Sequence, residues 1–475
     1  MANDDRRWMT AARRYAVVAA SLCALSIALF WPGYAMYDSV AQYEQVVTGA
    51  YDDWHPPVMA RLWSVLHPLG PGAAPMLVLQ IALYWTGLGG IAAGLAAGGR
   101  TRGAAAMLAI GVLPPFLGWQ AVVLKDAQAT GALLAAVGLT AWWRLRGVRV
   151  PVAAGIAVVV LIAYATLARA NAVFAAVPLG VLLLPGTVRW PVRTGSWIGM
   201  TLLVLALAPI VNHRLLGASS SGVELTAPLF DMAGIAARTP DADGTGLLAE
   251  ERAVVIARRC ARPFFWDPLG DPAHCGTAMN RLRALPTGAV DRLWLTAIIR
   301  HPLAYAAHRA AHLNSTDRWL VAAHWPDANP PQATEPNALK LGSPGRVAVA
   351  WQRFAGVLVE TPLGWPIAWI VIAIVAMAVA TGRPRPARDV ATALLGSALL
   401  LEASFAVLSI ASDLRYHLWP MIATAAAAVL LADGTPVPRR AARGGAFVLV
   451  LVIATAVAAR VMLPAAPTTY LGMLG

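Results

Sequence analysis

Apolar runs rich in Ala, Val, Leu and Ile dominate the chain, and short polar stretches interrupt them at near-regular intervals. An α-helix needs about 20 apolar residues to cross a bilayer. The runs predict eleven spans, near 14–34, 72–97, 103–120, 125–143, 150–168, 171–185, 196–212, 364–381, 390–411, 416–432 and 445–463. The run at 103–120 contains Pro114 and Pro115, and the run at 171–185 is short. Six Arg-rich segments punctuate the pattern, at 13–14, 100–102, 144–149, 189–193, 383–388 and 439–443. Lys and Arg in short loops mark the cytoplasmic side. With eleven spans and the N-terminus inside, all six segments fall inside and the C-terminus outside; a count changed by one breaks that agreement. Trp31, Trp142, Trp143 and Trp365 stand near span ends, where amphipathic rings favour the interface. The first apolar segment lacks a small-residue cleavage site and reads as an uncleaved span.

The pattern divides the chain into a cytoplasmic tail (1–13), an N-terminal transmembrane module (14–212) with a first outer loop (33–71), a large outer loop domain (213–363) and a C-terminal transmembrane module (364–475). The outer domain is richer in Pro, Gly, Asp and His than the spans. Two helices are predicted in it, at 291–299 and 302–313. There Trp294, Ile298 and Tyr305 interleave with Arg292, Arg300, His301, His308 and Arg309, a mixture that suits a helix at the lipid–water interface.

Composition agrees: 58% of the 475 residues are hydrophobic and 13% charged, which marks a membrane protein. The net charge of +13 does not call for nucleic acid. It is mostly Arg at span ends, where anionic lipid headgroups account for it. Lys125 and Lys340 are the only lysines, a bias expected of a GC-rich bacterial gene. Cys23 sits in the first span as a packing residue. Cys260 and Cys275 share the outer domain; in an oxidising compartment they can close a loop of about 15 residues, worth roughly 3 kcal/mol. The bridged and free forms both stay open, and no CxxC zinc pattern occurs.

Every cluster with reactive potential falls at the end of a span opposite the Arg-rich segments. The first loop reads Pro32-Gly33-Tyr34-Ala35-Met36-Tyr37-Asp38-Ser39, then Gln42-Tyr43, then Asp52-Asp53-Trp54-His55-Pro56-Pro57. Ser39 and Gln42 form an S-x-x-Q capping box that starts a helix at Ser39, leaving the Asp38 carboxylate free. Alternatively Asp38 only helps the cap, and Asp52 and Asp53 only make a turn. Lys125 and Asp126 open a span, either as an interfacial anchor or with Lys125 on a phosphate and Asp126 orienting it. Arg169 and Asn171 share a tight outer turn; Arg169 runs against the inside bias, yet could simply snorkel. Arg415, within Asp413-Leu414-Arg415-Tyr416-His417, offers a planar fork matched to phosphate oxygens. Glu402 lies mid-span, about 16 Å along a helix from Asp413. That is too deep for headgroup chemistry and suits a hydrogen-bonded structural role. Asp231 could cap a helix of the outer domain.

An acid just after the first span, a short helix, then His55-Pro56-Pro57 followed by Leu62 and Trp63 resembles the first outer loop of GT-C-type membrane glycosyltransferases. That group includes protein O-mannosyltransferases and bacterial aminoarabinose transferases. The Arg415-Tyr416 pair after a late span is similar to theirs as well. The resemblance covers the topology, the first loop and scattered later positions. It departs where many members have adjacent acids, here Asp38-Ser39, and where several have Lys before Pro-Pro, here His55. The base and the phosphate ligand therefore stay open.

The resemblance implies an all-α polytopic GT-C-like fold and an inverting hexosyl- or pentosyltransferase. The sugar would pass from a polyprenyl-phosphate donor to a glycan, lipid or protein acceptor, on the outer face of a bacterial cytoplasmic (inner) membrane. Asp38 is the expected base, with Asp53 as runner-up. His55, Lys125, Asp126, Arg169, Asn171, Arg415, Tyr416 and His417 are expected around the donor. A divalent cation, Mg or Mn, on Asp38 or Asp53 stays open. The alternatives are an envelope polysaccharide polymerase or ligase, and a transporter or flippase of lipid-linked sugar. A transporter would place polar groups at the midplane and often carries inverted repeats. Only Glu402 is charged at depth, and no repeat is visible in the sequence.

Overall fold

The structure, a computed structural model, describes residues 2–184, 188–240, 243–380, 385–432, 439–467 and 470–474. Arg383 of the fifth Arg-rich segment lies outside them, as do the last residues of the expected spans ending at 185 and 381. In lipid, backbone polar groups must pair within the segment, so long apolar runs fold as helices. Helices stand at each of the eleven expected positions. No strand occurs among the described residues, only isolated bridges.

Among the described residues, six helices are long and apolar enough to cross a membrane: Met9–Phe30, Ala74–Ala97, Trp190–Leu215, Pro386–Leu408, Leu414–Ala432 and Arg439–Met462. The chain is thus a multi-pass membrane protein. A seventh candidate is the pair Thr101–Gly111 and Pro114–Gln120, bent by 56° where Pro114 and Pro115 cannot continue the ladder. Val152–Ala168, Ala170–Leu182 and Pro366–Ala380 are apolar but shorter. Lys125–Arg144 carries Lys125, Asp126 and Gln128 in its first turns.

Lipid removes the hydrophobic drive between helices, so close packing of small residues takes over. Ala74–Ala97 and Lys125–Arg144 meet through Gly87, Gly90 and Gly138; a Cβ on Gly138 would collide with the backbone of Gly87. In the C-terminal half, Ser397 Oγ donates to the Ala175 carbonyl at 2.7 Å and accepts from Trp419 Nε1 at 2.9 Å. One continuous apolar core joins the two halves. Trp190–Pro209 has no buried residue and lies at the periphery.

The bundle has two chemically distinct ends. At one, Arg144 donates to the Leu183 carbonyl, and Arg193 donates to Leu182 and Leu184 at 3.2 and 3.0 Å. Arg100 and Arg385 line a small cavity there with Leu145. The opposite end of the Lys125–Arg144 helix presents Lys125, and the outer domain packs on that side. Its own core gathers Phe230, Met232, Leu269, Met279, Leu282 and Ala297, and Cys260 and Cys275 are bridged across 15 residues.

Helices Thr287–Arg300 and Pro302–Thr316 contain the two predicted ones. Trp294 and Tyr305 turn toward the domain core rather than outward; the exposed stripe is Leu295, Ile299 and Leu303. Asp231 caps nothing. It is fully buried within Thr226–Ala236, where it accepts from Trp294 Nε1 at 2.9 Å and Arg309 Nη2 at 2.6 Å.

Candidate active site

The first loop is tied to the entrance of the Lys125–Arg144 helix by backbone. Tyr34 N donates to Ala121 at 3.2 Å, and Val123 N donates to Tyr34 at 2.8 Å. The helix begins at Tyr37, two residues before the predicted start, with Met36 as its N-cap. Ser39 still serves a capping box, as its third residue: its Oγ accepts from Met36 N at 3.0 Å and donates to Val123 O at 2.6 Å. The second bond explains the shift, because Ser39 clamps this helix to the extended approach of the Lys125–Arg144 helix. Asp38 therefore sits in the first helical turn, where the helix dipole favours an anion, and faces Lys125.

The Asp38 carboxylate is the hub. Its Oδ2 lies 2.9 Å from Lys125 Nζ and 3.2 Å from Arg415 Nη1. Lys125 Nζ also donates to His55 Nδ1 at 2.8 Å. His55 Nε2 approaches Asp38 Oδ1 at 3.8 Å but has no hydrogen-bond partner. His55 is fixed by the following Pro56 and Pro57, which cap and open the helix Pro57–Leu66. Arg415, in the turn Leu414–His417, also pairs with Asp413 at 3.3 Å. Asp126, in the first turn of its helix, pairs with Arg169. Arg169 stands in extended backbone between two helices, and the Tyr416 ring stacks under it at 4.4 Å and under Arg415 at 5.6 Å.

Burial alone would raise the Asp38 pKa. The charges of Arg415 and Lys125, with the Lys125 hydrogen bond, win and hold it well below the ordinary carboxylate range. Burial, then the Lys125 charge, pushes His55 down to about 4. His55 is therefore neutral near pH 7, accepts at Nδ1 and carries its proton on Nε2, which makes no hydrogen bond.

Seven of the ten expected residues thus form one connected group: Asp38, His55, Lys125, Asp126, Arg169, Arg415 and Tyr416. The other three make no contact with that group. Asp53 Oδ1 accepts from the Ser221 N and Oγ at 2.7 Å each, and its Oδ2 faces His213 at 3.4 Å. It holds the first loop to the start of the outer domain. Asn171 Oδ1 is buried without a partner. His417 turns inward to Glu402 at 2.8 Å.

The residues do not fit a divalent cation on Asp38 or Asp53. A dication at Asp38 would face Lys125 and Arg415, and Asp53 is engaged by Ser221 and His213. Sequence reasoning missed how Arg318 frames the site. It donates to the carbonyls of Trp325 and Pro326 and, at 3.3 Å, to that of Ser412, while Leu414 N donates to the Asp327 carbonyl at 2.9 Å. These contacts cross long loops, and no spacing in the sequence announces them.

No family model matches this chain. No curated protein matches it either. Among solved structures it is similar to the archaeal oligosaccharyltransferase AglB from Archaeoglobus fulgidus in complex with an inhibitory peptide and a dolichol-phosphate, at 13% identity and a TM-score of 0.35. The match covers 94% of this chain and 55% of that one, so the chain spans about half the length of that protein. A similarity at that level fixes neither the fold nor the activity.

Proposed function

We propose that the chain is an integral membrane glycosyltransferase of the GT-C type that crosses the membrane eleven times. It would move a sugar from a polyprenyl-phosphate donor to a glycan, lipid or protein acceptor on the outer face of a bacterial cytoplasmic membrane. One observation carries the reading: Asp38 is held between Lys125 and Arg415, with Arg415 Nη1 ion-paired to it at 3.2 Å, while Arg415 Nε is buried with no hydrogen-bond acceptor. A buried donor without an acceptor is costly. A phosphate ester at the mouth of an apolar bundle would satisfy it while its lipid tail lies among the helices.

The chemistry needs a base for the acceptor hydroxyl and cations for the departing phosphate. The acceptor oxygen attacks the anomeric carbon and its proton passes to Asp38. The anomeric C–O bond breaks with its electron pair leaving on the phosphate, and Lys125 and Arg415 neutralise the charge. In the resting site those cations make Asp38 a weak base. Phosphate that draws them away from Asp38 raises its proton affinity, so donor binding prepares the base. Arg169 and Asp126 hold Tyr416 against the site, and the His55 Nε2–H is free to donate to the sugar or phosphate.

The test is sugar transfer by protein in nanodiscs, supplied with a panel of polyprenyl-phosphate hexoses and pentoses. Asp38→Asn should lose at least about a hundredfold in turnover while retaining donor binding, and Asp53→Asn should keep most of it. Loss confined to Asp53→Asn would move the base to Asp53; transfer unaffected by either change would end the glycosyltransferase reading.

A further inference from the structure

A second polar cluster lies deeper than the Asp38 group. Asp317 closes the helix Pro302–Thr316, Glu402 lies within Pro386–Leu408, and His417 ends the turn Leu414–His417. All three are buried, and their ligand atoms lie within 4.8 Å of one another. His417 Nδ1 faces both Glu402 oxygens at 2.9 and 2.8 Å. On the other side of the ring, Nε2 lies 3.1 Å from Thr316 Oγ1.

Two features of this cluster ask for a ligand. First, Asp317 Oδ1 is buried and has no hydrogen-bond partner. Second, two buried carboxylates meet with no Lys or Arg paired to either among the described residues; the neighbouring Arg318 turns its Nη1 and Nη2 to the carbonyls of Trp325, Pro326 and Ser412. A buried carboxyl group must either hold a proton or meet a counter-charge, and a metal ion is one that fits here. If Nε2–H donates to Thr316, the Nδ1 lone pair points at Glu402, a contact that a bound cation or a carboxyl proton makes favourable. A ring nitrogen held by its far-side hydrogen bond is the usual arrangement of a metal-bound His.

We propose that Asp317, Glu402 and His417 bind a zinc ion. An imidazole with two carboxylates suits zinc, whereas calcium and magnesium take oxygen ligands alone. Tetrahedral zinc with ligands at 2.0–2.2 Å separates them by roughly 3.3 Å. Glu402 and His417 need only draw apart by a few tenths of an ångström, and Asp317 closes inward. Three protein ligands leave a fourth position for water. The ion would pin the helix Pro302–Thr316 of the outer domain to the C-terminal helices, two residues from Arg415. It would thereby position Arg415 and Tyr416 without touching substrate. The inference does not depend on the glycosyltransferase reading.

The test is metal content by mass spectrometry on the full-length protein in detergent, incubated with zinc sulfate and then desalted. About one zinc per chain is expected for the wild type. Glu402→Gln and His417→Ala should each reduce retention at least roughly tenfold, since losing one of three ligands removes much of the binding energy. Because those variants could fail to fold, the wild type is also melted with zinc and with chelator, and zinc should raise Tm by several degrees, roughly 3 °C or more. Wild-type protein that is folded but retains no zinc and melts identically in both conditions would overturn the proposal. So would folded variants that keep the wild-type zinc content.

Discussion

Asp38, Lys125 and Arg415 come from three distant parts of the chain and share one carboxylate oxygen. Each cation is expected to contribute roughly 1.5–3 kcal/mol to phosphate binding. Lys125→Ala and Arg415→Ala should therefore weaken binding of a polyprenyl phosphate about ten- to a hundredfold, measured by tryptophan-quenching titration in nanodiscs. Asn171→Ala, outside the connected group, should change it little. His55 makes a separate statement about pH. Its folded pKa is about 4, lowered from 6.5. Above pH 6.5 the folded and unfolded chains both hold it neutral, and its contribution to stability is full. As pH falls from 6.5 to 4 the unfolded chain takes up a proton that the folded one refuses, and that contribution is lost. His55→Gln should therefore flatten the fall of Tm between pH 6.5 and 4, relative to wild type; parallel curves would mean that His55 is solvated and unshifted. At this scale the sequence was informative about residue type and poor about partners. Asp38, Lys125 and Arg415 stood out as charges at span ends. The turn of His417 toward Glu402, and of Asp53 toward Ser221, depends on loops whose course no periodicity encodes.

At the scale of elements, apolar runs located the helices well, because lipid leaves a backbone few other ways to satisfy itself. The boundaries were less legible. The first-loop helix starts two residues early because Ser39 is recruited by the Val123 carbonyl, a contact across 84 residues. The outer helices were found, but the sequence did not say which face they bury: Trp294 and Tyr305 pack on the domain core, with Trp294 bonded to Asp231. The Cys260–Cys275 bridge was undecided from sequence and is formed in the structure. It staples the short helices Ala249–Ala257 and Gly276–Arg283 onto the outer core. Replacing both cysteines by Ser should destabilise the outer domain by roughly 3 kcal/mol, seen as faster limited proteolysis within 213–363 while the membrane helices remain protected. Unchanged proteolysis would mean that the core alone holds the domain.

At the scale of the molecule, the alternation of Arg-rich and reactive segments corresponds to two ends of one bundle. Their placement across a membrane is testable by thiol labelling in a Cys23→Ala background. Exposed positions must be used, since Ser39, His55 and Asp413 are all buried. Tyr37→Cys should label from outside and Val148→Cys only after permeabilisation; labelling of both from one side would overturn the eleven-span orientation. The glycine seam between Ala74–Ala97 and Lys125–Arg144 bears on the same geometry. Two stiff rods that touch backbone to backbone have a fixed pivot, and Gly138 is that pivot for Lys125, about 20 Å further along the same rod. A methyl group wedged there swings the far tip sideways as a lever does. A displacement of about 1 Å in a reacting constellation can cost on the order of a hundredfold in rate. Gly138→Ala changes no charge and touches no polar atom of the site. It should nonetheless depress sugar transfer more than Gly155→Ala, whose added carbon meets open space, so that chemistry at the surface is set by a clearance deep in the bilayer.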